Sequence, residues 1–486
     1  MKNNSFRKFS MRIMFVLTLV TPSLAAQQII PPQKQIPAPS PRLLVAASPQ
    51  EHEHPQSSDT AAKSTVGLTL EELQQMALAN NPTLGQAKAG VAAAAGRTRQ
   101  AGLWPNPTVG YTGEEIRGGS YGGGQHGVFI QQNVILGSKL GLDRKVRAEE
   151  GKQAEAESEE QGLRVENGVR IAFYQSLAAQ RMVETRKTLS GLANDAVETT
   201  QQLFNVGQAD QPDLLQAQVE ADEADLAVIA AEQDQLRAWR VLTAVVGKTA
   251  MAMVKLEGNL EDLPQLDADQ MIETILRDSP AVKIAQLEVS HSDLVFTRAR
   301  REVIPDLSVR VGYLNNREDV GSIPPKAVGS EGFAEVGVNL HIFNRNQGNI
   351  AAAKADRERA QLEVQRVSLT LRRLAAPVLQ SYSTSRSVVE RYKRRTLPNA
   401  QKAYDLYLHK YHEGAAAYPQ VLIAQRTLFQ LQTSYISALE NAWMNAAALQ
   451  GLLLTDPLDL PAAPGELDRP VREINMPVAE TQGTPR

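Results

Sequence analysis

A chain of 486 residues that is 42% hydrophobic, 22% charged and 5% aromatic is neither a membrane helix bundle nor a disordered polymer. Its 51 basic and 54 acidic residues leave a net charge of -3, without the basic excess that a nucleic-acid partner calls for. It contains no cysteine, so disulfides, thiolate metal sites, thiol catalysis and a lipid on an N-terminal cysteine are all excluded.

The chain begins with Lys2, Arg7, Lys8 and Arg12, an apolar run from Ile13 to Val20, and the small residues Ser23, Ala25 and Ala26. Charged, apolar and small sections in that order predict a cleavable signal peptide over residues 1–25. No later stretch offers about 18 consecutive apolar residues, so an exported chain of this kind enters a membrane by strands or not at all. Residues 26–65, rich in Pro, Gln, Ala and Ser, read as a flexible leader. Within it, His52 and His54 flank Glu53 as a weak candidate for cation capture, with too few fixed ligands for a built metal site.

The rest of the chain repeats itself at an offset of roughly 200 residues. Asn80-Asn81-Pro82 returns as Asp278-Ser279-Pro280, Leu103-Trp104-Pro105-Asn106 as Val303-Ile304-Pro305-Asp306, and Pro212-Asp213-Leu214-Leu215 as Pro419-Gln420-Val421-Leu422. The expected organisation is a first repeat over 66–260, a second over 261–455 and a tail over 456–486.

Each repeat opens with a short helix, near 69–80 and 268–278, and a proline-initiated helix, near 82–103 and 280–303. Apolar spacing then changes to two, which predicts one β-hairpin per repeat, near 106–136 and 306–343. In the second hairpin Val309, Val311, Ala334, Val336 and Val338 share one face, and Ser308, Arg310, Glu335, Asn339 and His341 share the other. Arg310 and Glu335 fall on paired strands and are expected to satisfy each other.

Segments 139–205 and 346–412 predict very long helices, each about 100 Å at 1.5 Å per residue, with a kink or bulge where Pro377 and Pro398 interrupt the second. Turns at Val206-Gly207-Gln208-Ala209 and Gly414-Ala415-Ala416 reverse the chain into returning helices of about 35 residues. A returning helix and a proline-initiated helix, stacked end to end, match the length of their long partner. The predicted fold is therefore mainly α with a small β part: a long antiparallel helical barrel with four transmembrane strands per chain.

Four strands cannot close in hydrocarbon, where each unpaired backbone N–H or C=O costs several kcal/mol, so identical copies must complete the cylinder. Three copies, giving twelve strands, are the simplest closure; the arithmetic alone also admits two or four.

The signal peptide, the duplicated helix–hairpin–helix plan, and the turn glycine followed by Leu214-Leu215-Gln216-Ala217-Gln218 resemble the TolC-type outer-membrane efflux channels over residues 66–455. The corners Leu136-Gly137-Ser138-Lys139 and Phe343-Asn344-Arg345-Asn346-Gln347-Gly348 are most similar to the CzcC/CusC-like branch that serves heavy-metal cation efflux, although helix capping by Asn344 or Asn346 would also account for them. The resemblance implies a homotrimer in outer-membrane lipid, with a twelve-stranded barrel and a periplasmic tunnel. Its partners would be a membrane-fusion adaptor and an inner-membrane pump of the RND type, driven by proton-motive force.

It also implies that Val206, Gly207, Gln208, Ala209, Gly414, Ala415 and Ala416 form the adaptor-contact tip. Asp213 and Gln420 occupy the positions of the family's carboxylate gate, which this chain therefore keeps at most by half. Ser308, Arg310, Glu335, Asn339 and His341 would line the barrel.

Enzyme motifs are weak. His409 and His412 lack the carboxylate of a zinc-protease helix, Gly247-Lys248-Thr249 lacks the glycine of a phosphate loop, and no G-x-S-x-G occurs. No catalysis and no cofactor are expected. The competing readings are a duct for other small solutes or for secreted polypeptides, and a soluble periplasmic helical scaffold.

Overall fold

A computed structural model describes residues 67–459, apart from 115, 119, 120, 123, 321–323, 325 and 414. The expected signal peptide, the leader with His52 and His54, most of the tail and Gly414 lie outside the described residues.

Helix α1 (Leu70–Asn80) starts at Thr69, whose hydroxyl accepts from the Glu72 N–H while the Glu72 carboxylate accepts from the Thr69 N–H. Helix α2 (Pro82–Ala101) follows at once. Asn81 caps it by accepting from the Thr83 N–H at 3.0 Å, and Pro82 fills the first turn, where no N–H is needed. Then come β1 (Thr108–Glu114), the two-residue ribbon of β2 (Arg117–Gly118) and β3 (Tyr121–Gly122), and β4 (Gln125–Val134). The 67-residue α3 (Lys139–Asn205) and the returning α4 (Gln211–Val246) complete the first half.

The second half has the same order: α5 (Ala268–Asp278), α6 (Pro280–Arg301), β5 (Leu307–Val320), β6 (Lys326–Val338), α7 (Gln347–Arg391), α8 (Leu397–His412) and α9 (Tyr418–Gln450). The corner before each long helix has the same uncommon backbone. Ser138 and Asn346 lie in the left-handed region at φ 58° and 59°.

The second long helix is not continuous. A π turn over Tyr392–Thr396 separates α7 from α8, immediately before Pro398, which has no N–H to give to the Arg394 carbonyl. Pro377, by contrast, lies inside α7 without a break in the helix.

β1, β4, β5 and β6 form one antiparallel sheet in that order. β6 ends at Val338, opposite Leu307, the first residue of β5. Asn339 and His341 therefore stand beyond the strand on which the alternation had placed them, because no residue of β5 remains for them to pair with.

The core lies among the helices. Leu73, Phe173, Leu242, Val246, Ile275 and Leu449 are almost fully buried there. Trp443 stacks on Tyr174 at 3.7 Å between ring centroids and donates its indole N–H to the Leu260 carbonyl at 2.7 Å. Buried indole and phenol groups need such partners, and the connector after α4 supplies the acceptor.

Candidate functional site

Three regions carry the features expected of a channel: the sheet, its joint with the helices, and the far helix turns.

The sheet is one layer with two unlike faces. Register places Val109 opposite Ile130, Ile130 opposite Val311, and Val311 opposite Ala334, while Val309 faces Val336 and Leu307 faces Val338. Val109 is 73% exposed and Val336 65% exposed, so nothing among the described residues covers this apolar face. Near one end of that face the Tyr111 hydroxyl meets His126 Nδ1 at 2.5 Å, and Tyr313 donates to Ser330. Aromatic rings with a polar tip suit the boundary of a hydrocarbon layer.

The opposite face is polar. Gln131 Nε2 donates to Ser308 Oγ at 3.3 Å, and Arg310 lies directly across from Glu335, 3.7 Å away. Arg310 also lies over two rings, 4.0 Å from the centroid of Phe129 and 5.4 Å from that of Phe333. Each ring covers a glycine on the neighbouring strand. A Cβ on Gly110 would come within 2.5 Å of Phe129, and one on Gly312 within 2.4 Å of Phe333. Thus Ser308, Arg310 and Glu335 share the predicted face, whereas Asn339 and His341 follow the strand. The two phenylalanines were not anticipated, although each stands at a polar-face position of an otherwise polar or glycine-rich alternation.

At the joint, Lys139 is buried to 1% exposure and donates to Asp306 Oδ1 at 3.0 Å; the same oxygen accepts from the Leu136 N–H at 3.0 Å. Glu302 lies 4.0 Å from the Lys139 ammonium, and Arg298 bonds both Asp143 and Glu302. This network ties the start of α3 to the end of α6 and the foot of β5. Asn346, at the equivalent corner, makes no cap to its own helix; its amide donates to the Ala299 carbonyl at 2.9 Å. Asn344 also lies outside α7 and accepts from the Asn346 N–H at 3.0 Å.

Two helical turns further, His291 Nδ1 lies 3.1 Å from Glu288 and its Nε2 lies 3.4 Å from Glu150, which Arg147 also holds. Burial works against the Glu288 carboxylate, but hydrogen bonds from His291, Gln153 and Ser292 outweigh it and hold the group below its ordinary range. Burial also works against the His291 cation, yet Glu288 and Glu150 raise its pKa above the usual histidine value.

At the far end, Gly207 adopts φ +75° and the Gln208 N–H bonds the Leu203 carbonyl at 2.8 Å, closing a left-handed helix end. The Ala415 N–H bonds the Lys410 carbonyl at 2.8 Å in the same way. Val206, Gly207 and Gln208 are exposed, and Ala209 and Ala416 are partly so. Asp213 and Gln420 both occupy the third position of their helices. Asp213 is used locally: its carboxylate accepts from the Asp210 N–H at 3.3 Å. It also faces the second turn, since the Tyr411 hydroxyl is raised by burial and, after that, by the Asp213 charge.

Among the described residues no helix is long and apolar enough to cross a membrane, and no cluster of three or more His, Asp or Glu side chains is arranged to hold a metal ion.

The profile of the family described as outer membrane efflux protein matches residues 73–248 and 271–453. The chain belongs to that family. It is accordingly an outer-membrane protein whose helices extend into the periplasm. It is 27% identical over 394 residues to the cobalt-zinc-cadmium resistance protein CzcC of Cupriavidus metallidurans, covering 79% of this chain and 90% of that one. It is 26% identical over 323 residues to the nickel-cobalt-cadmium resistance protein NccC of Alcaligenes xylosoxydans xylosoxydans, covering 65% and 68%. Among solved structures, CusC superposes with a TM-score of 0.66 at 17% identity over 81% of this chain and 95% of CusC. That likeness concerns the fold.

Proposed function

We propose that this protein is the passive outer-membrane conduit of a tripartite efflux system: a homotrimer that carries heavy-metal cations outward from an inner-membrane pump and a periplasmic adaptor. The observation that carries the reading is the single-layer sheet, apolar on one face and polar on the other, with β1 and β6 each unpaired along one side among the described residues. Such a sheet satisfies its backbone in lipid only when further strands close it, and its polar face then surrounds water. The channel performs no reaction. It lowers the barrier to an ion by providing a continuous aqueous path, and the pump supplies the energy.

The resistance proteins CzcC and NccC support metal cations as cargo. The turns at Val206–Ala209 and Ala415–Ala416 would meet the adaptor, and Asp213 would face the entrance. Arg310 and Glu335 serve the barrel wall first, because they form an ion pair across adjacent strands at 3.7 Å. The two repeats, taken as 66–260 and 261–455, each contribute one hairpin and one stretch of helical wall.

The test is a deletion strain challenged with copper, silver, cobalt, zinc, cadmium and nickel and with a panel of antibiotics. Metal sensitivity restored by the gene supports the reading. Sensitivity to antibiotics alone would assign the channel to other solutes, and a water-soluble monomer recovered outside the membrane would remove it from transport. Replacing Asp213 with Ala should weaken divalent-cation block of single channels; unchanged block would take Asp213 out of the gate.

A further inference from the structure

Once identical copies are taken to close the sheet, the registers within one chain constrain the register between chains. Thr108 stands opposite Gln131, Gln131 opposite Arg310, and Arg310 opposite Glu335. A line drawn across the strands therefore leaves one copy at Glu335, and the residue it meets on the next copy's β1 fixes the stagger of the whole barrel.

The joint supplies that residue. Within the chain, Val134 pairs with Leu307, four residues before the left-handed Ser138 and two after Pro305. The corresponding positions in the other half are Ile342, four residues before the left-handed Asn346, and Pro107, two after Pro105. We propose that β6 of one copy pairs with β1 of the next in the register that sets Ile342 opposite Pro107, Leu340 opposite Val109 and Val338 opposite Tyr111. Residues 339–343, which pair with no strand among the described residues, then complete the strand.

Three observations on the chain favour this register. Leu340 is 65% and Ile342 58% exposed, and both continue the apolar alternation of Val336 and Val338; the Ile342 N–H, which closes a tight turn on the Leu340 carbonyl at 3.0 Å, would exchange that bond for one to the neighbouring strand. Pro107 lies at the foot of β1, where a missing N–H is tolerated. Barrel geometry gives the third. In this register Glu335 faces Glu114, so the line from Thr108 advances six residues per copy and about eighteen around three copies.

With a rise of about 3.3 Å and a strand spacing of about 4.8 Å, that stagger over twelve strands gives a tilt of about 46°, at the upper end of the roughly 35–45° found in membrane barrels. Matching the halves instead by Val109-Gly110-Tyr111 and Val311-Gly312-Tyr313 would return the line to Thr108 with no stagger. Strands would then stand upright, which a closed barrel does not allow. The proposed register does place Glu114 opposite Glu335; the Arg310 guanidinium, 3.7 Å from Glu335, offsets the like charges.

The joint between copies also differs in chemistry from the joint within one. Gln347 stands where Lys139 does and Asn106 where Asp306 does, so the buried ion pair within the chain has an uncharged amide pair as its counterpart between chains.

The chain contains no cysteine, so introduced pairs can be read without background. Val109→Cys is combined in turn with Ala334→Cys, Val336→Cys, Val338→Cys or Leu340→Cys, all on the apolar face, and disulfide-linked copies are counted in isolated outer membranes after mild oxidation. The expected result is efficient linkage with Leu340→Cys and little with the others. A maximum at 338, 336 or 334 overturns the register but keeps closure by identical copies. No linkage with any pair overturns closure itself. In the unaltered protein, every second amide of residues 339–343, those directed at the neighbouring β1, should be protected from hydrogen exchange in the assembled form; free exchange at all of them would also overturn the register.

Discussion

The sheet and the helical wall of this chain are stabilised by different surroundings. The helices enclose a core of their own, where Phe173, Leu242, Trp443 and Leu449 are buried and the Trp443 indole and Tyr382 phenol donate to backbone carbonyls. The sheet encloses nothing: Val109, Val128 and Val336 are exposed on one face, and Arg310 and Glu335 stand on the other. The wall thus carries its apolar surface inward, while the sheet carries it outward to a solvent that must itself be apolar. The same alternation that marks a strand in the sequence has opposite consequences for burial in water and in lipid.

The contrast can be broken most severely at the apolar face of the sheet. Val336→Lys should cost about 2–4 kcal/mol per copy near the middle of a bilayer, and the cost recurs in every copy. The expected outcome is loss of the heat-modifiable oligomer from the outer-membrane fraction; normal yield would mean that this face does not meet lipid. Trp443→Ala addresses the wall alone. Removing a buried indole costs about 3–5 kcal/mol, so the melting temperature of the helical part should fall while membrane insertion persists.

Asp306→Ala falls between the two regions, because it strips the buried Lys139 ammonium of its nearest partner. Losing one member of a buried pair costs about 3–5 kcal/mol, and the effect here should be smaller because the Asp306 side chain is 39% exposed. A double change of Lys139→Met with Asp306→Ala should recover part of the loss, since no unpaired charge remains.

The smallest effect concerns His291. Its folded pKa is raised, so its contribution to stability is complete below the unfolded value of about 6.5 and is lost as pH rises through the higher folded value. Thermal scans should show a stability that declines above about pH 6.5, and His291→Gln should flatten that decline. An unchanged slope would assign the pH dependence to other groups. Glu288 works in the opposite sense: its contribution is present above the ordinary carboxylate pKa and fades only as acid protonates it below that range.

Much of this arrangement could be read from spacing. Prolines at 82 and 280, glycine at 207 and the change of period after Pro105 and Pro305 act locally, and each element they announce is present. What could not be read depends on residues far apart in the chain. Lys139 looks like an ordinary basic residue in the first turn of a helix until Asp306, 167 positions later, is brought to it by strand pairing. Arg310 likewise reads as half of an ion pair, and only register reveals the two rings beneath it. Asn339 and His341 illustrate the limit differently: their alternation is that of a strand, but β5 begins at Leu307, opposite Val338, and offers them no partner. Asp213 carries a local signal of another kind, since Asp at the third helical position after Asp210 is a capping pattern.

The π turn at Tyr392–Thr396 has a consequence for the helices on either side of it. Buried positions on α7 recur at intervals of seven, at Ala353, Ala360 and Val367 and again at Tyr382 and Val389, whereas the residues of α8 that meet Tyr418 and Leu422 include Tyr404 and Tyr411, fifteen and twenty-two positions beyond Val389. One surplus residue at the turn thus resets the phase, so that the seam which meets α6 and then α9 along α7 continues against α9 along α8. Excising any one residue between Tyr392 and Thr396 would swing everything below it by about 100°, turning the lower seam away from its mate like a screw thread cut one notch out of step.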